Sequence, residues 1–192
     1  MRDKARARID ALRPLLKDPA PEVRLAAADA IETLEATSSV DEILETLKTG
    51  NMGSRIGAIY ALGEVGGVAV LKPLVYCARR PEVDIRSAAV AVLGKLAFPE
   101  TLSVLLELLE DENPTIQARA VAALRNFPAS PEILNKIRPF LSASDGVLEA
   151  EAASVLAEFK DLFSLPRIEA LLTSPYASTR QAAAVAFSKI PL

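Results

Sequence analysis

The chain of 192 residues has no histidine, no tryptophan and one cysteine, and aromatics are 5% of it. Each shortage removes a class of chemistry. Without histidine the commonest general base and metal ligand is missing, and no Ser-His-Asp or Cys-His arrangement can be built. Cys77 alone makes neither a disulfide framework nor a cysteine cluster for zinc, and it reads as a small buried hydrophobe. No apolar run approaches the ~20 residues that cross a bilayer. The opening MRDKARARID is charged, with no apolar stretch behind it, so no secretory signal is read there. A cytoplasmic protein without a membrane segment is expected. A net charge of −3 and a pI near 5.2 argue against a nucleic-acid surface. There is no glycine-rich phosphate loop: Gly63, Gly66 and Gly67 read as the end of a helix, where glycine caps. Asp111 and Glu112 read as helix-end charges. No catalytic residue, cofactor or metal is expected.

What is present is a period. Hydrophobic residues make up 51% of the chain, and many of them recur in register. One column is alanine six times: Ala27, Ala58, Ala89, Ala120, Ala152 and Ala183. Three residues on stand Ala30, Ala61, Val92, Ala123, Val155 and Ala186, and then Ile31, Leu62, Leu93, Leu124, Leu156 and Phe187. A last column holds Leu34, Val65, Leu96, Phe127, Phe159 and Ile190. The step is 31 residues, with one step of 32 that places an extra residue in the linker Pro128-Ala129-Ser130-Pro131. Spacing of i, i+3, i+4, i+7 is one face of a helix. An earlier amphipathic stretch in each copy is anchored by Leu12, Ile43, Leu74, Leu105, Ile137 and Ile168. Each repeat is therefore two helices, A and B, separated by turns rich in Pro, Gly, Asp and Asn. Pro14, Pro73, Pro139 and Pro166 are expected to start, kink or shorten A helices. An unvarying small residue lets two helices approach closely.

These features resemble HEAT repeats, of the short bacterial and archaeal kind also called PBS-lyase HEAT-like repeats. The best match is Asp18-Pro19-Ala20-Pro21-Glu22-Val23-Arg24 followed by Ala27, Ala30 and Ile31; weaker ones are Pro81 to Arg86 and Asp111 to Gln117. The resemblance covers nearly the whole chain. It implies an all-α, right-handed α-solenoid of about six helix pairs, with repeats near 2–36, 37–66, 67–97, 98–128, 129–160 and 161–192. It also implies a hydrogen-bonded ladder between repeats, made by the Asp of the inter-helix turn and the Arg opening helix B. The residues matching it are Asp18, Arg24, Arg55, Arg86, Gln117 and Arg180, and Glu149 reverses the charge in the Arg column. The ladder is therefore expected to be interrupted around the fifth repeat.

One domain, 1–192, is expected, and the end at Ile190-Pro191-Leu192 without a polar cap suggests part of a longer chain. At the other end Arg2, Lys4, Arg6 and Arg8 give the first helix the polar face of a capping repeat. By resemblance the B helices line the concave side, the usual binding surface of such folds. Tyr60, Glu64, Asp84, Lys95, Arg119, Arg125 and Glu151 are polar positions of those helices outside the core columns, and they are the candidate contact surface. The reading is a non-catalytic scaffold for a protein or peptide partner, monomeric or fused to other domains. A bilin lyase-like enzyme is the alternative implied by the family name, resting on fold alone. A DNA-binding HEAT-like protein is the weaker one, against which the acidic pI and missing Trp stand.

Overall fold

The computed structural model describes the backbone of residues 2–191 and the side chains of 5–35 and 38–191. The side chains of Arg2 and Lys4 lie outside this range, as does Leu192; Arg6 and Arg8 are exposed. Among the described residues there are eleven α-helices and no strand, and the class is an all-α solenoid. No helix among them is long and apolar enough to cross a membrane. The chain divides into two compact units, Met1–Val70 and Leu71–Leu192.

In the first unit, α1 (Arg2–Leu12) runs into a 3-10 turn, Arg13–Lys17, that contains Pro14. Then follow α2 (Pro21–Thr49) and α3 (Met52–Val65). The boundary expected between the first two repeats, near residue 36, falls inside a helix: α2 runs unbroken for 29 residues. The physical reason is the lack of a breaker. No Pro or Gly stands between Pro21 and Gly50. Thr33 donates to Asp29 O at 2.8 Å and Thr46 to Glu42 O at 3.0 Å, both within the helix. The break arrives at Gly50, and Asn51 then caps α3 by accepting the Ser54 amide at 2.9 Å. Gly66 ends α3 at φ 69°, a left-handed position suited to glycine.

The second unit alternates short A helices with longer B helices. The A helices are α4 (Leu71–Ala78), α6 (Leu102–Glu107), α8 (Pro131–Ile137) and α10 (Leu165–Leu171). The B helices are α5 (Val83–Leu96), α7 (Pro114–Leu124), α9 (Gly146–Glu158) and α11 (Ala177–Lys189). Each A helix packs on the B helix that follows it, and α5, α7, α9 and α11 pack in succession. The prolines act as expected on the A helices. Pro139 sits in the 3-10 turn Arg138–Ser142 that ends α8's run, while Pro73 and Pro166 lie in the first turns of α4 and α10. Caps come from Asn113, Ser130 and Asp145, each accepting an amide of the helix it opens.

The alanine column is the seam of both units: all six members are at most 5% exposed. Around it Leu74, Ile85, Leu93, Leu105, Ile116, Leu124, Ile137 and Leu156 are fully buried. Each such side chain contributes about 1.5–3 kcal/mol relative to exposure. Closeness reaches its limit at Gly94 of α5, where a Cβ would stand 2.5 Å from the Ala123 Cβ of α7. Gly146, opening α9, is pressed in the same way by Tyr176, which a Cβ would meet at 2.8 Å.

Candidate partner-binding groove

Three of the arginines that open B helices, Arg24, Arg86 and Arg180, share one pose. Arg24 donates from Nη1 to Asp18 O at 2.7 Å and Pro19 O at 3.0 Å. Arg86 does the same to Arg80 O at 2.9 Å and Pro81 O at 2.8 Å, and Arg180 to Ser174 O at 2.7 Å and Pro175 O at 3.0 Å. Each guanidinium thus satisfies carbonyls that the end of helix A leaves without partners. Arg86 also reaches the next repeat. Its Nη2 donates to Asp111 Oδ1 at 3.1 Å and its Nε stands 3.0 Å from Oδ2, with both side chains under 10% exposed. Asp111 Oδ1 in turn accepts the Asn113 amide at 2.9 Å, as Asp18 Oδ1 accepts that of Ala20. Arg55 is half-buried, and Gln117 makes no side-chain hydrogen bond among the described residues.

The interruption expected at Glu149 is corrected: the rung is inverted. Glu149 is buried and accepts where arginine donates. Its Oε1 takes the Ser144 amide of its own turn at 3.2 Å. Its Oε2 takes the Thr179 hydroxyl at 3.1 Å and the Ser174 hydroxyl at 3.5 Å, both from the next repeat. Ser174 occupies the place that Asp111 holds opposite Arg86, so a changed acid is matched by a changed partner.

The B helices of the second unit form a groove of about 470 Å³. Its floor is small: Ala91, Gly94, Ala122 and Ala123. Its walls carry Lys95, Arg119, Arg125 and Glu151, four of the seven candidate contact residues. Lys95 and Arg119 are exposed. Arg125 is held: its Nε donates to Ala122 O at 3.1 Å, its Nη2 to Glu151 at 3.0 Å, and its Nη1 lies 3.6 Å from Glu158. Asn126, which no sequence pattern singled out, lines the groove and donates to Gly94 O at 3.0 Å. The remaining candidates lie elsewhere. Asp84 is exposed in the first turn of α5 and does not line the groove, while Tyr60 and Glu64 are exposed on α3 of the first unit. Among the residues lining the trough no nucleophile is paired with a base.

The A layer of the second unit is tied by ion pairs. Arg79 meets Glu107 at 2.6 Å and Lys136 meets Glu110 at 2.7 Å, both exposed and worth little. Arg138 grips buried Asp161 with two parallel bonds of 2.9 and 2.7 Å, and Ser164 donates to the same carboxylate. The hydrogen bond from Arg138 holds the Asp161 carboxyl below its ordinary range, and burial works against that shift. Phe163, 85% exposed, lies under the Arg138 guanidinium at 5.1 Å.

A family model described as HEAT repeats matches residues 9–94, 74–135 and 102–188. The comparison with curated proteins finds no match. Among solved structures, the chain is similar to the complex of CpcE and CpcF of phycocyanin lyase from Nostoc. Identity is 16% over 78% of this chain and 98% of that one, with a TM-score of 0.63. The YibA protein of Escherichia coli is 16% identical over 99% of this chain and 70% of its own, TM-score 0.60. A designed armadillo repeat protein in complex with a (KR)4 peptide is 16% identical over 95% and 99%, TM-score 0.59.

Proposed function

Because the chain belongs to the HEAT repeat family, we propose that it is a non-catalytic scaffold holding a protein or peptide segment in the groove of α5, α7 and α9. The observation that carries this reading is the trough itself: an Ala and Gly floor walled by Lys95, Arg119 and the Arg125–Glu151 pair. An extended backbone can approach such a floor closely, and the charged walls fix its register. Asp84, and in the first unit Tyr60 and Glu64, are proposed as further contact residues. The designed armadillo protein in complex with a peptide gives the reading a parallel in fold. We place the protein in the cytoplasm, in keeping with a buried Cys77 that is in no disulfide. The 1–192 chain is proposed to act as one domain.

The competing reading is a bilin lyase-like activity, favoured by the likeness to the CpcE and CpcF complex. At 16% identity that likeness carries the fold alone, and the chain has no histidine for acid-base work. Affinity capture from extract of the source cells tests the scaffold reading. Arg119→Glu combined with Lys95→Glu should cut recovery of a specific partner at least tenfold, and Glu132→Lys on α8 should leave it unchanged. Equal recovery by the groove variant would sink the assignment. Covalent bilin absorbance appearing on an apo-phycobiliprotein mixed with this chain and bilin would replace it with the lyase.

A further inference from the structure

The charges that line the trough do not cancel. Lys95, Arg119 and Arg125 are cations, and Glu151 is the one carboxylate among the lining residues. The chain as a whole carries −3, so the trough opposes the sign of the molecule around it.

That carboxylate is already engaged. Arg125 donates from Nη2 to Glu151 at 3.0 Å, and its Nη1 lies 3.6 Å from Glu158 of the same helix. Arg119 is different. It is exposed on α7 and makes no hydrogen bond or ion pair among the described residues. Because α7 packs between α5 and α9, this exposure belongs to the interior of the row of B helices and not to its end. Nor does the repeat ask for an arginine there. In the repeat register its place is taken by Ala88 in α5, Glu151 in α9 and Ala182 in α11. The arginines that do recur, Arg24, Arg86 and Arg180, each bond to the carbonyls of their own turn. Lys95 stands on α5, the helix on which α7 packs, and is exposed as well.

We infer that the trough selects an acidic segment: an extended peptide whose carboxylates meet Arg119 and Lys95 while its backbone lies over Ala91, Gly94 and Ala122. This rests on the trough being the partner site. A guanidinium takes a carboxylate through two parallel hydrogen bonds, and Arg119 has all its donors to give. Glu151 sets the limit on the α9 side. A carboxylate laid beside it would be repelled, so the acidic residues of the segment belong on the α5–α7 side.

Fluorescence anisotropy with three labelled peptides of equal length tests this: alternating Ala and Glu, alternating Ala and Lys, and alternating Ala and Gln. The Ala-Glu peptide should bind at least tenfold tighter than either of the others, and added salt should weaken it. Arg119→Glu should weaken it at least tenfold with an unchanged circular dichroism spectrum, and Arg119→Lys should keep most of the binding. Arg119→Glu combined with Lys95→Glu should turn the preference over to the Ala-Lys peptide, which an unfolded variant cannot do. Arg79→Glu makes the same change of charge in the A layer and should leave binding unchanged. No binding of the Ala-Glu peptide, equal binding of the Ala-Lys peptide, or an equal loss in Arg79→Glu and Arg119→Glu would overturn the inference. The underlying reading fails separately. A partner cross-linked at position 119 through a segment rich in Lys or Arg keeps the trough as the partner site and overturns the acidic preference. Ala-Glu binding that Arg119→Glu abolishes, with no partner cross-linked at position 119, upholds the preference and removes the reading.

Discussion

Glu149 accepts a hydrogen bond from Thr179 at 3.1 Å, across a joint of the kind in which Arg86 donates to Asp111. The two joints share geometry and differ in the direction of donation. A buried carboxylate fed by one amide and two hydroxyls meets the same need as a buried guanidinium fed by carbonyls and a carboxylate.

This inversion makes the pairing testable. Glu149→Arg leaves a cation facing Ser174 and Thr179 and should cost about 2–4 kcal/mol. Adding Ser174→Asp rebuilds the Arg86–Asp111 arrangement and should recover ~1 kcal/mol or more, read as coupling in a double-mutant cycle by urea unfolding. Additive losses would mean that the two positions do not share a rung.

Gly94 is a packing residue. Gly94→Ala gains helix propensity worth about 1 kcal/mol but forces α5 away from Ala123. A net loss of ~1–2 kcal/mol is expected, and a thermal melt that rises would show that the contact yields. Ala89→Leu, in the fully buried seam, should cost ~1–3 kcal/mol by the same overpacking.

Ala97 closes α5 at φ 48°, a left-handed conformation that a side chain disfavours. Ala97→Gly should stabilise the protein by ~1 kcal/mol, raising the midpoint of a melt.

The Arg138–Asp161 pair sets a pH dependence. Its carboxyl lies below the ordinary value of 3.8 when folded, so its contribution is complete above that value and fades as pH falls through the folded value. Arg138→Ala should cost about 2–3 kcal/mol at pH 7. Melts between pH 7 and 2 should show the gap to wild type closing below about pH 4. A gap constant over that range would mean that Asp161 is not held by Arg138.

Much of this architecture is legible in the chain because one physical demand repeats. Close approach of B helices needs a small residue at the same place in every copy, so the column from Ala27 to Ala183 is visible without coordinates. The fused helix Pro21–Thr49 is less visible, because the apolar period continues on both sides of residue 36 and only the missing Pro or Gly separates the outcomes. The inverted rung is hidden because Glu149 and the hydroxyls that donate to it stand 25 and 30 residues apart, and a single column shows only the changed charge. Four groove residues could be named as polar positions beside the seam. That Arg125 is committed to Glu151 and Glu158, and that Asn126 lines the trough, depends on where α7 ends and how α9 lies beside it.

The proposed partner would lie in the trough of α5, α7 and α9. A photo-crosslinking residue at Arg119, with the same residue at Glu132 on α8 as control, measures this most directly in the cells that make the protein. One specific partner adduct is expected from position 119, lost when Lys95→Glu is added, and none from position 132. Adducts from position 132 and not from 119 would contradict it.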